Sequence, residues 1–189
     1  MPLCRNLTVT PQEYPMNFIR TITLMSVCLS ATYSADLLTN TDFTGDLTSW
    51  TLQVVPLEGS TTLPGKITHL KEGDDGYVRL ERTATGGNTF SVQIYQRAAI
   101  EPGKRYICQF KARSPNQAWV AVLLMRDEGD YAASTEMVYQ GLDSKWSEIT
   151  MPMAPKSSAT SPLRINFSLD DRSADKVVEI TNVTITAAE

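Results

Sequence analysis

From Trp50 onward the chain is broken into ten short runs rich in β-branched and aromatic residues, and none of it carries the roughly 3.6-residue repeat of an amphipathic helix. The runs are Trp50–Val55, Ile67–Leu70, Gly76–Thr83, Thr89–Gln96, Arg105–Arg113, Ala118–Arg126, Thr135–Gln140, Trp146–Met153, Leu163–Leu169 and Val177–Thr186. Between them stand strong turn signals: Glu72-Gly73-Asp74-Asp75-Gly76, Gly86-Gly87-Asn88, Pro102-Gly103, Ser114-Pro115-Asn116 and the stretch 154–162. Gly supplies backbone angles closed to other residues, and Pro cannot continue a ladder, so each cluster ends a strand. About ten strands in one domain of this length predict an all-β fold, a jelly-roll β-sandwich of two antiparallel sheets.

Alternation along the runs predicts which side chains face inward. In Tyr106–Arg113 the set Tyr106, Cys108, Phe110 and Ala112 shares one face, and Gln109, Lys111 and Arg113 share the other. In Leu163–Leu169 the odd-numbered residues are core, which places Asn166 and Ser168 outside. The run Ala118–Met125 is apolar on both faces. Either it is a central strand covered twice, or its outer side lines an apolar groove containing Trp119. Trp50 and Trp146 are expected in the core, and Cys108 is expected to be a small buried hydrophobe.

Of 189 residues, 42% are hydrophobic and 20% are charged, with a formal net charge of −4. That composition excludes a disordered chain. The acidic balance excludes the dense cationic surface that a nucleic-acid partner needs. No apolar run reaches the ~18–20 residues of a membrane span. Residues 16–35 read as an export signal: Arg20 is the basic start, Thr21 to Ala31 the apolar stretch, and Thr32-Tyr33-Ser34-Ala35 the small-residue cleavage region. The alternative is a buried helix over 18–31. The polar residues 1–15 do not fit a signal, which points to Met16 as the start. Segment 1–35 is thus expected to be a leader, and 36–189 a single domain that is secreted, periplasmic or at the cell surface. Cys4 and Cys28 leave with the leader, so Cys108 is left without a disulfide partner.

Four segments carry a resemblance. They are Leu38-Thr39-Asn40-Thr41-Asp42-Phe43 with Gly45-Asp46-Leu47-Thr48-Ser49-Trp50; Phe90-Ser91-Val92-Gln93-Ile94-Tyr95-Gln96; Ile100-Glu101-Pro102-Gly103-Lys104-Arg105-Tyr106 running into Phe110-Lys111-Ala112-Arg113; and Val178-Glu179-Ile180-Thr181-Asn182-Val183-Thr184-Ile185. In this order they resemble carbohydrate-binding modules of families four, nine and twenty-two, which are jelly rolls of the galactose-binding-domain type. The resemblance spans Leu38 to Thr186. It implies that Gln96, together with Gln93, sits in a binding cleft, and that the ligand is a β-linked polysaccharide of glucan or xylan type. Two positions depart from the family pattern. Phe90 stands where Trp or Tyr is usual, and Thr181 stands where an Asp often helps hold a structural calcium. Asp42, Asp74 and Asp75 are the remaining oxygen donors for such an ion.

Glycans present C–H patches and hydroxyl rims, so a site needs flat rings and bidentate polar side chains. The candidate rings are Tyr95, Trp119 and Tyr77. The candidate hydrogen-bonding groups are Gln93, Gln96, Lys111, Arg113 and Asn166. Gln93 and Gln96 differ in parity, so their sharing a face requires a bulge near Tyr95 or a bend at the strand end. The last strand is expected to return beside the first.

Little in the chain suggests catalysis. His69 is the only histidine, so a metal site built on several His is excluded. No nucleophile motif surrounds any Ser, and nothing pairs Glu81, Asp127, Glu128, Asp170 or Asp171 as glycosidase carboxylates. A jelly-roll lyase using Tyr with Arg or Lys is the catalytic alternative, detectable by its unsaturated uronic products. The expectation is a monomeric, non-catalytic polysaccharide binder working with separate glycoside hydrolases. Its alternative is a structural or adhesive β-sandwich without a sugar site. The sequons at Asn166 and Asn182 permit glycosylation in a eukaryotic host.

Overall fold

The computed structural model describes residues 35–160, 162–170 and 174–188. The expected export segment, with Cys4 and Cys28, lies outside the described residues. Every one of the ten β-rich runs forms a strand: β1 (Thr51–Val54), β2 (Gly65–Glu72), β3 (Asp75–Arg82), β4 (Val92–Ala98), β5 (Tyr106–Arg113), β6 (Trp119–Arg126), β7 (Val138–Gly141), β8 (Ser147–Met153), β9 (Leu163–Leu169) and β10 (Lys176–Ala187). The run starting at Thr89 opens instead as a 3-10 turn, Thr89–Ser91. Asn88 causes this: its side chain accepts from Phe90 N, while its own N–H donates to Ser91 Oγ at 2.8 Å. Such reciprocal capping holds a helical turn where propensity favours a strand.

The strands form two five-stranded antiparallel sheets. Sheet A has the order β1-β4-β9-β6-β7, and sheet B the order β2-β3-β10-β5-β8. The chain crosses repeatedly between the two, as in a jelly roll. The last strand does not return beside the first. β10 lies at the centre of sheet B between β3 and β5, whereas β1 pairs with β4 at an edge of sheet A. The segment running along β10 precedes β1: Leu37 N donates to Ile185 O, and Val183 N to Thr41 O, both at 2.9 Å. A terminal strand this apolar (Val178, Ile180, Val183 and Ile185 are all fully buried) is stabilised most at the centre of a sheet, where both of its edges are paired.

One apolar core lies between the sheets, built from the inward residues that alternation selects. A chain of rings crosses it. Phe110 of β5 meets Phe167 of β9 at 5.1 Å, Phe167 meets Trp50 at 6.2 Å, and Trp50 meets Phe43 at 5.3 Å. Phe43 and Trp50 therefore occupy the core, as their Asn-x-x-Phe…Trp spacing suggests. Trp146 does not. In β8 the odd residues Ile149, Met151 and Met153 are core, so Trp146 belongs by parity to the outer side of sheet B.

The loop before β1 is pinned at Phe43, whose φ is +53°. Its carbonyl accepts from His69 Nε2 at 2.7 Å. The same carbonyl lies so close to Gly76 that a Cβ there would sit 1.8 Å from it. Replacing Gly76 with Ala must displace this turn and should lower the unfolding free energy by about 1–3 kcal/mol, read from urea denaturation.

Cys108 is fully buried, and desolvation, with a smaller contribution from Asp36, pushes its thiol from an ordinary 9.0 up to about 12. The unfolded chain therefore releases this proton first. The contribution is fully present below pH 9 and is lost as pH rises from 9 to about 12. Wild type should lose stability more steeply over that window than Cys108→Ala, measured by urea titrations at stepped pH.

Candidate functional site

On sheet A the inner residues of β4 are Val92, Ile94 and Ala98, so Gln93, Tyr95 and Arg97 face outward. The register sets them opposite outward members of β9: Gln93 to Ser168, Tyr95 to Asn166, and Arg97 to Arg164. β6 then continues the rows with Ala121, Leu123 and Met125, and β7 adds Tyr139 opposite Ala121. Four sequence candidates, Gln93, Tyr95, Asn166 and Trp119, thus share one face. The outer residues of β6 are themselves buried (Ala121 and Leu123 fully, Met125 almost so), so this face is recessed rather than flatly solvated.

Gln96 is not on it. β4 runs in unbroken register with β1 and β9, so no bulge reverses parity at Tyr95. Gln96 points to the inner side and holds the N-terminal segment at two points. Thr39 N donates to its Oε1 at 2.8 Å, and its Nε2 donates to Thr39 O at 2.9 Å.

The polar groups of the sheet A face are incompletely satisfied. Gln93 donates its amide to Gln53 Oε1 at 2.6 Å, and Asn166 donates to Ser168 Oγ at 2.7 Å. That leaves Gln93 Oε1, Asn166 Oδ1 and Arg164 Nε buried with no partner among the described residues. Each such group costs about 1–3 kcal/mol unless a partner arrives. Arg164 lies 3.7 Å from the Tyr95 ring centroid and 5.3 Å from that of Tyr131, with Asp127 Oδ1 at 3.4 Å. Gln53, Gln93, Tyr95, Tyr131 and Arg164 border a depression of about 280 Å³. At the other end Trp119 and Tyr139 are half exposed, at 50% and 49%. The indole lies across Gly141, whose absent side chain makes room for it: a Cβ there would sit 3.3 Å from the ring. Tyr139 and Arg164 were not singled out from the sequence. The alternation that exposed Asn166 also exposes Arg164, whereas Met137–Gln140 has no clean alternation to assign Tyr139.

Tyr77, Lys111 and Arg113 fall on the opposite side of the sandwich, the outer face of sheet B. Its centre is Glu179, fully buried, which accepts from Arg79 Nε at 2.8 Å and from Arg113 Nε. Arg113 also reaches Glu72 at 2.9 Å and stacks 4.5 Å from the Trp146 ring centroid. Tyr77 meets Trp146 edge-on at 5.8 Å. Arg113 is therefore held in place by a buried carboxylate and an indole. Glu179→Gln removes the charge that both arginines face, and should cost about 3 kcal/mol in a urea melt.

The groups considered for catalysis have structural partners. Asp127 pairs with Arg97 and Arg164, Glu128 with Arg97, Glu81 with Lys66, and Asp170 accepts from Thr89. Asp171 lies outside the described residues. A calcium at the Thr181 position does not fit the residues present. The Thr181 hydroxyl bonds Gly76 O at 2.6 Å and Asp42 O at 3.3 Å, while the Asp42 carboxylate accepts from Thr44 N and Oγ1. Among the described residues no three acidic, histidine or cysteine side chains converge. At the sequons of the described domain, Asn166 is fully buried and Asn182 is exposed.

No protein-family model matches the chain, and no curated protein matches it. Solved structures do match it in fold. A structure described as a family 4 carbohydrate-binding module, CBM4, superposes with a TM-score of 0.61 at 17% identity, covering 83% of this chain and 97% of that one. The N-terminal cellulose-binding domain of Cellulomonas fimi β-1,4-glucanase C gives 0.52 at 17% identity, over 75% and 90% of the two chains. The CBM22-1–GH10 modules of Clostridium thermocellum xylanase 10B, complexed with xylohexaose, give 0.57 at 11% identity. Here 84% of this chain covers only 29% of the xylanase chain. The chain thus shares the jelly roll of these modules.

Proposed function

We propose that this chain binds polysaccharide of β-glucan or xylan type, without catalysis, across the outer face of sheet A. The observation that carries the reading is the depression of about 280 Å³ there, bordered by Gln53, Gln93, Tyr95, Tyr131 and Arg164, where Gln93 Oε1 and Arg164 Nε have no partner among the described residues. They share the face with the exposed rings of Trp119 and Tyr139. Sugar hydroxyls both donate and accept, so a chain of them matches a mixed set of orphaned donors and acceptors that no purely anionic or purely cationic ligand would satisfy. The rings offer C–H stacking platforms at one end, and the Tyr95–Arg164–Tyr131 stack closes the other.

The shared fold with carbohydrate-binding modules supports this reading. Export through residues 16–35 would place the domain where such polymers occur, beside separate glycoside hydrolases. The alternative, a structural or adhesive sandwich, leaves the orphaned polar groups without a purpose.

The test is affinity electrophoresis of the full chain in native gels containing xylan, mixed-linkage glucan, laminarin, mannan, pectin or alginate. Retardation by one neutral β-linked polymer is expected. Trp119→Ala and Tyr139→Ala should each weaken it roughly tenfold, and Gln93→Ala should do the same, with a urea melt confirming that the variant folds. Retardation by none of the six favours the structural reading, and ultraviolet-absorbing products from pectin or alginate would establish the lyase instead.

A further inference from the structure

Tyr77 and Lys111 were singled out in the sequence but do not belong to the sheet A face. They border a recess created by an irregularity in β10. That strand pairs with β3 as far as Ile180 opposite Val78, and its register with β5 slips between Thr181 and Thr184. Asn182, at the slip, adopts φ +51° and is exposed. A bulge of this kind leaves backbone unpaired and re-aims a side chain. Here it opens two adjoining depressions on the outer face of sheet B. One, of about 350 Å³, lies against Tyr77 and Trp146. The other, of about 260 Å³, lies over Gln109, Thr150 and Thr184. Lys111 and Asn182 border both, so the two form one trough.

We propose that this trough is a second glycan-binding groove, on the face opposite the first, which makes the domain bivalent. It shares with the proposed function only the chemistry of the ligand. Trp146 is half-buried and fixed from behind: Arg113 stacks on it, Tyr77 meets its edge, and buried Glu179 holds Arg113 in place. It is therefore a preorganised ring wall, which binds at little entropic cost. Beyond it the trough offers the amides of Asn182 and Gln109 and the hydroxyls of Thr150 and Thr184. Two of the nearby charge pairs are matched, Lys111 against Glu148 at 3.3 Å and Arg113 against Glu72 at 2.9 Å, and Asp75 adds a carboxylate at the rim. One aromatic wall beside neutral amides and hydroxyls, with no excess positive charge to draw an anion, suits a neutral oligosaccharide. Two grooves on opposite faces also let one domain hold two polymer chains, or two segments of one chain with added avidity.

The test uses tryptophan emission. The chain has three tryptophans, and Trp50 is only 5% exposed. In a full-length Trp119→Phe, Gln93→Ala double variant, Trp146 is thus the indole open to a ligand. Titration with xylohexaose, cellohexaose and laminarihexaose should give a saturable emission change with at least one of them. Asn182→Gly, which suits the left-handed backbone, and Gln109→Ala should each weaken that change tenfold or more. Neither should alter the titration read from the sheet A face in a Trp146→Phe chain. Native chain should bind two equivalents and cross-link the matching soluble polymer into larger particles by light scattering. Binding lost entirely in the double variant, with flat Trp146 emission, overturns the second groove and leaves the first standing. Binding that survives the double variant and falls with Asn182→Gly establishes the second groove, and a single equivalent bound by native chain would then overturn the first. An emission change untouched by both Asn182→Gly and Gln109→Ala overturns the groove as drawn.

Discussion

The ring contacts from Phe110 through Phe167 and Trp50 to Phe43 join the two sheets across the core, and much else depends on them. Phe110 belongs to sheet B and Phe167 to sheet A, so their edge-on contact at 5.1 Å fixes which face of each strand is inner. A strand offers only two faces. Once Phe167 is committed inward, Arg164, Asn166 and Ser168 are committed outward, and once Phe110 is inward, Gln109, Lys111 and Arg113 are outward. A slip of one residue in either strand would turn this polar set into the apolar core between the sheets and the rings out of it, at a cost far beyond the net stability of a domain. Trp50 and Phe43 extend the chain of rings to the loop before β1, which then lies along β10.

Polar groups on the two outer faces are treated differently. On sheet B a fully buried carboxylate is matched by two guanidinium groups, and the network holds an indole in place. On sheet A, by contrast, three buried polar atoms lack partners although each belongs to a side chain that donates or stacks elsewhere. Folding tolerates a few such groups, and these are the ones among the described residues of that face. The deep burial of Ala121 and Leu123 beneath them gives that face an apolar floor, which strengthens any hydrogen bond made above it.

All ten strands, and the core set on most of them, were legible in the sequence, because alternation and turn residues are local signals. The grouping of the candidate residues was legible only in part. Gln93, Tyr95, Trp119 and Asn166 do share a face. Tyr77, Lys111 and Arg113 were grouped with them, yet lie on the far side of the sandwich. Alternation says that a side chain is outward but not outward from which sheet. Gln96 was placed in the cleft through resemblance, whereas unbroken register turns it inward to hold Thr39. Trp146 was expected in the core, whereas its even parity, one residue before β8, places it outside.

The sequence alone therefore determined the class of fold, the strand positions and, for most strands, the inner face, since these follow from a two-residue period and from Gly and Pro chemistry. Only the tertiary structure decided which strands lie side by side. It placed β10 between β3 and β5, split the outward residues between two faces, laid Trp119 over Gly141 and opened a trough at Asn182. Those outcomes depend on pairings between residues distant along the chain, and no local pattern encodes them. The sequence fixes what each strand can bury, but packing determines what the exposed sides meet.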